Sequence, residues 1–181
     1  MKAWLPKLKE KLEALAKTKG WKLGDVLAKL KNRFLQKGSY KIFKKIDLQN
    51  QDKVPFDPQK LERIKESLKK QGIIVQQDDD AKHVLDLNNA EAAYLPNSPD
   101  FPDDVPILML RENPSRAAVI EELLHLGQHR KLGFAPDFFT ELVKYEIEAQ
   151  QKLLVLGKRL GWNNFELKEI EDALEYWRNK R

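Results

Sequence analysis

Apolar residues recur at helical spacing from the start of the chain, at Trp4, Leu8, Leu12 and Leu15 and then at Leu23, Val26, Leu27, Leu30 and Phe34, with Gly20 and Gly38 as stops. This spacing predicts two short amphipathic helices whose outer faces are covered by lysines. A third helix opens at Asp57-Pro58, an N-cap followed by a residue whose fixed φ suits the first helical position. Leu61, Ile64 and Leu68 share its inner face and Gly72 ends it. From Ile73 the period falls to two. Short apolar runs at 73–77, 83–87, 92–95 and 105–110 predict strands, parted by Asp78-Asp79-Asp80, by Asn88-Asn89 and by a Pro- and Asp-rich loop at 96–106. Their short connections favour a mainly antiparallel sheet of about four strands. Helical spacing then returns. One helix is expected from Asn113-Pro114 to about Lys131, a second from Pro136-Asp137 to about Leu156, and a last from Asn163 or Asn164 to the C-terminus. Helices on either side of a small sheet place the chain in the α+β class.

Composition narrows the picture. A chain of 181 residues builds one domain with a sizeable core, or a domain with a short appendage, but not two ordinary domains. An apolar share of 41% that includes four Trp and eight Phe argues against disorder, and 34% charged residues argue for a soluble protein. No apolar run approaches the roughly 20 residues of a bilayer span, and no signal peptide is visible at the N-terminus. Zero cysteines remove disulfides, thiolate ligands and a Cys nucleophile, and any imidazole chemistry must use His83, His125 or His129. The net charge of +5 hides an asymmetry. Met1 to Asp47 holds thirteen Lys and one Arg against Glu10, Glu13, Asp25 and Asp47, so this stretch is about +10 and the rest about −5. Residues 1–55 therefore read as a basic helical segment or linker, and residues 56–181 as the body.

Candidate chemistry sits on the helix that follows Asn113. At about 100° per residue, Val119, Ile120, Leu123, Leu126 and Gly127 gather on a core face, while Glu121, Glu122, His125, Gln128 and His129 gather opposite. Glu121 and His125 stand four apart, one turn above the other, so both can reach a single ion. Glu122 lies about 100° further round, placed to act on a water as general base. On the next helix Glu146 falls inside a broad apolar arc that includes Phe138, Phe139, Leu142, Val143, Ala149 and Leu153. A carboxylate there must be protonated, paired with a cation or bound to a metal, because burying it bare is prohibitive. Glu148 projects from the polar side and is the weaker alternative.

These residues carry a resemblance. Glu121-Glu122-Leu123-Leu124-His125 resembles the HExxH motif of zincins with the first His replaced by Glu, and Glu146-Ile147-Glu148-Ala149 resembles the ExxA that gives gluzincins their third ligand. The stretch from Leu108 to Arg178, with Asn-Pro-Ser-Arg before the motif and His-Leu-Gly-Gln within it, looks like the zincin-like metallopeptidase toxin domains of bacterial polymorphic toxins. The resemblance covers the last 75 or so residues and leaves the first 70 largely outside. It implies a zincin-like fold, with Glu121, His125 and Glu146 as metal ligands and Glu122 as the base that activates water. It also implies a peptide substrate laid along the 105–110 strand as a sheet edge, a cognate immunity protein as partner, and either delivery as a secreted effector or residence in the bacterial cytoplasm. Zinc is the ion such a site implies; one imidazole and two carboxylates make a harder donor set, which also admits manganese or iron.

Blander readings stand beside these. Glu and His four apart on a helix are often a solvated pair, and a zincin-like domain without activity would serve as a peptide- or protein-binding module. His129 fits a group behind the ligands, a replacement ligand or a surface histidine, and His83 begins a strand far from the motif. Arg116 and Tyr145 are candidates to pair with Glu146 or to stabilise an oxyanion, against structural roles for both. Trp162, Tyr176 and Trp177 fit helix-on-helix packing. The basic first quarter raises a toxin acting on nucleic acid, which the scarcity of interleaved aromatics disfavours.

Overall fold

The computed structural model describes residues 52–87, 89–96, 105–132 and 139–181. The two helices expected before Gly38, and with them most of the 1–55 segment, lie outside these residues, as does the interior of the 96–106 loop. The described chain runs α1 (Pro58–Lys70), β1 (Ile74–Gln76), α2 (Asp79–Leu87), β2 (Ala92–Leu95), β3 (Ile107–Leu110), α3 (Arg116–Leu132), α4 (Phe139–Arg159) and α5 (Asn164–Arg178). The α+β class therefore holds.

Two of the helix starts follow directly from their caps. Asp57 Oδ1 accepts the backbone N–H groups of Gln59 and Lys60 at 2.9 and 3.1 Å, with Pro58 next in line. Asn163 and Glu166 form a reciprocal capping box at the head of α5. Gly72, at φ +77°, ends the turn after α1 in a conformation that favours glycine.

The sheet differs from the expectation. Its order is β1-β3-β2, three strands rather than four, with β1 parallel and β2 antiparallel to β3. The 83–87 segment is helical. Asp78 is the reason: its Oδ1 accepts the Ala81 N–H at 2.9 Å, and Asp79 and Asp80 fill the first turn, where carboxylates favour the helix dipole. What reads as a turn between strands is the cap of α2. With α2 and β2 between them in the chain, β1 and β3 run in the same direction. β3 lies at the centre of the sheet, so the 105–110 strand is not an edge; β2 is.

The sheet alternates its side chains between two cores. Ala92, Tyr94, Leu108 and Leu110 face Leu61 and Leu68 of α1 and Val119 and Leu126 of α3, while Ala93, Leu95 and Met109 face Ala81 and Leu85 of α2. Behind α3, a third cluster joins Ala117, Ile120 and Leu124 to Leu153 of α4 and to Trp162 and Ile170 at and within the α5 end of the molecule. α3 is thus sandwiched between the sheet and the α4–α5 pair. This explains why its polar side is buried as well, with Glu122 and Gln128 nearly inaccessible, while Gly127, expected in the core, is exposed.

The start of α3 lies two residues beyond the expected Asn113-Pro114. Ser115 Oγ accepts the Ala118 N–H, and residues 54–56 bridge to 114–116 through Phe56 N–H to Pro114 O and Arg116 N–H to Val54 O, both at 2.9 Å. Pro114 is held in this bridge rather than in the helix.

Candidate metal centre

Glu121 and His125 stand one turn apart on α3, and Glu146 reaches them from α4. One donor atom from each lies within 4.8 Å of the others. His125 Nε2 is 3.5 Å from Glu146 Oε2. Two donors bound to one tetrahedral zinc, each at its usual distance, stand about 3.4 Å apart, so this pair is already at bridging separation. The widest pair, within 4.8 Å, must close by at most about 1.4 Å, which a carboxylate rotation supplies. The two-helix convergence on which the metal reading depends is therefore present in the fold.

Neighbouring amides fix the orientation of the donors. Gln128, one turn along α3, accepts the His125 Nδ1–H at Oε1 over 3.0 Å, which leaves Nε2 directed at Glu146. The Gln128 amide is held in turn, donating to the Tyr145 carbonyl at 2.9 Å and to Glu148 Oε2 at 3.3 Å. Gln150, one turn after Glu146, donates to Glu121 Oε1 at 2.9 Å. Gln128 thus steadies a donor on its own helix and Gln150 a donor on the neighbouring one. Such outer partners ordinarily set ring tautomer and ligand basicity at metal sites.

Burial sharpens the demand for a cation. Glu146 is 6% exposed and Glu121 and His125 are half-buried. Two carboxylates this close repel, and a low-dielectric setting magnifies the repulsion. A divalent ion bridging them would offset both costs, and the donor set of one imidazole and two carboxylates suits zinc, manganese or iron(II). Glu148 plays another part. It pairs with Lys152, whose hydrogen bond holds its carboxyl below the ordinary range, and it lies outside the donor group.

Glu122 is 4% exposed and turns toward the sheet, where its Oε2 accepts the Tyr94 N–H at 2.6 Å. Tyr94 belongs to the edge strand β2, and this N–H points away from β3 toward α3. The Tyr94 hydroxyl continues to His129 Nδ1 at 2.8 Å, so His129 supports the sheet–helix contact. Glu121 and Glu122 together line a cleft of about 480 Å³ between α3, α4 and α5, which His125 and Glu146 do not line.

Other sequence candidates have structural roles. Arg116 pairs with Glu166 through Nε at 2.9 Å and Nη2 at 2.6 Å and stacks over Trp162, pinning α3 to α5; it does not serve Glu146. Tyr145 contributes its carbonyl to Gln128. His83 is carried on α2 rather than at a strand start. Tyr94, Gln128 and Gln150 are site residues that the sequence reading passed over as functional. For the two glutamines a signal existed in the spacing: each stands three or four positions after a proposed ligand on the same helix.

Compared with known protein families, with curated proteins and with solved structures, the chain gives no match. The functional reading rests on the site itself.

Proposed function

We propose that this chain is a metal-dependent peptidase of the zincin type, acting as a bacterial toxin or effector. The observation that carries the reading is the convergence of Glu121, His125 and Glu146 from two helices, with Glu122 beside Glu121 at the head of an open cleft. When bound, a divalent ion supplies Lewis acidity: it makes water a stronger acid and polarises a peptide carbonyl. Glu121, His125 and Glu146 hold it. Glu122 takes the proton of the attacking water and returns it to the leaving amine nitrogen as the carbon–nitrogen bond breaks, so the protons balance without another donor. For this its carboxylate has to leave the Tyr94 N–H, freeing that edge-strand donor for a substrate carbonyl.

The test is hydrolysis of a mixed peptide pool by the full chain supplied with Zn²⁺, Mn²⁺ or Fe²⁺. Cleavage that disappears in Glu122→Gln while bound metal is retained supports the proposal. Retained metal with no cleavage by the wild-type chain overturns it in favour of a binding module.

No helix among the described residues is long and apolar enough to cross a membrane.

A further inference from the structure

The cleft between α3, α4 and α5 is apolar at depth. Leu153 and Ile170 are buried in its wall, and Ala117, Ala118 and Ala173 are half-buried beside them, their small side chains leaving a space of about 480 Å³. Glu169, Asp172 and the exposed Glu175 stand along its α5 side. An apolar hollow with a polar margin is the ordinary form of an interaction surface. The path of the chain names the occupant. Residues 52–54 are fastened around the hollow: the Asp52 carbonyl accepts Asn163 Nδ2 at 2.8 Å, Lys53 Nζ binds Glu91 at 2.5 Å and lies 3.7 Å from Glu169, and the Val54 carbonyl accepts the Arg116 N–H at 2.9 Å. Lys53 and Glu91 are themselves wall residues. The chain before Asp52 therefore departs from the margin of the cleft.

We propose that residues 23–34, which lie outside the described residues, dock in this cleft of their own chain. At about 100° per residue Leu23, Val26, Leu27, Leu30 and Phe34 form one stripe, with Lys22, Lys29 and Arg33 along one flank and Lys31 along the other. An apolar stripe between cationic flanks is the counterpart of an apolar hollow with carboxylates at its margin. Seating the stripe buries apolar surface on both partners, and the charges at the edge fix its orientation. The tether permits this. From Phe34 to Asp52 the chain can extend to roughly 60 Å, and a segment so tethered meets the cleft at an effective concentration on the order of millimolar. The earlier stripe at Trp4, Leu8, Leu12 and Leu15 would have to close a longer loop. Glu121 and Glu122 also line the cleft, so on the peptidase reading the docked segment covers the approach to them, but the docking itself does not depend on that reading.

Docking can be read without any activity. The full chain at low concentration is treated with a carbodiimide, which joins a lysine amine to a carboxylate only where the two are in contact, and the amide links are mapped by mass spectrometry. Lys22, Lys29 and Lys31 should link to Asp172 or Glu175 at least about fivefold more than to Glu66 and Glu112, which are exposed away from the cleft. Leu27→Asp, Leu30→Asp should abolish that preference, and Leu8→Asp, Leu12→Asp should keep it. Ala173→Trp, which fills the cleft from its own wall, should abolish it as well, with the far-ultraviolet circular dichroism unchanged. Mixing chains of two isotopic labels shows whether the links join one chain or two. Links without preference for the cleft, the same loss in both leucine variants, a preference that survives Leu27→Asp, Leu30→Asp, or links only between chains, as for a second copy, overturn the proposal. Absence of peptide cleavage would bear on the peptidase alone.

Discussion

At the scale of single residues, the candidate centre depends on side chains being held before an ion arrives. Gln128 fixes the imidazole of His125 and Gln150 fixes the carboxylate of Glu121. Gln128→Leu keeps the volume and loses the hydrogen bond, so metal affinity should fall by about 10- to 100-fold with the far-ultraviolet circular dichroism unchanged. Competition with a chromogenic chelator measures it. Unchanged affinity would mean that the amide only packs.

Lys53 and Glu91 supply a second test at this scale. Burial pushes the Glu91 carboxyl up, but hydrogen bonds from Lys53 and Ser115 and the lysine's charge outweigh it and hold the group below its ordinary value of 4.5. A carboxyl depressed in the folded state adds stability above its unfolded pKa and gives that stability up as the pH falls through the folded value. Acid unfolding should therefore draw on this pair below about pH 4.5. In Lys53→Met, Glu91 loses its cation and the acid transition should move to higher pH, followed by intrinsic fluorescence. An identical transition would show that the pair carries no linkage.

At the scale of elements, much of the chain is legible where a local device decides it. Asp57-Pro58 and the Asn163–Glu166 box both appear in the sequence at the starts of helices and act there. The Asp78 side chain was equally visible, yet its run of three aspartates reads as a turn until its bond to Ala81 is known. Strand order was not legible at all, because β3 becomes central through pairings with segments both before and after it in the chain. Glu146 was legible because a charge on an apolar arc is a misfit; Gln128 and Gln150 carried only the weaker signal of standing one turn after a proposed ligand, because an uncharged amide is no misfit on a helix face. The corner between α4 and α5 yields a prediction. A Cβ at Gly157 would meet Trp162 Cε3 at 2.9 Å and Leu167 Cδ2 at 3.1 Å. Gly157→Ala should cost about 1–3 kcal/mol in urea unfolding through overpacking, and an unchanged midpoint would show that the corner yields.

At the scale of the whole molecule, α3 is the shared wall of everything that matters. One side packs on the sheet through Val119 and Leu126, with Glu122 on the Tyr94 N–H, another carries Glu121 and His125, and Arg116 ties its start to α5. A metal bridging α3 and α4 would couple the sheet-bearing half to the C-terminal helices, so an ion that binds only the folded state should raise the unfolding temperature with its concentration.

The most direct measurement is the metal content of the full chain, purified without chelators and titrated with Zn²⁺ or Mn²⁺, for the wild type, His125→Ala and Glu146→Gln. One tightly held ion per chain in the wild type, lost in both folded variants, is the predicted result. A folded wild type that takes up no ion, or a content unchanged by either substitution, would contradict the metal centre.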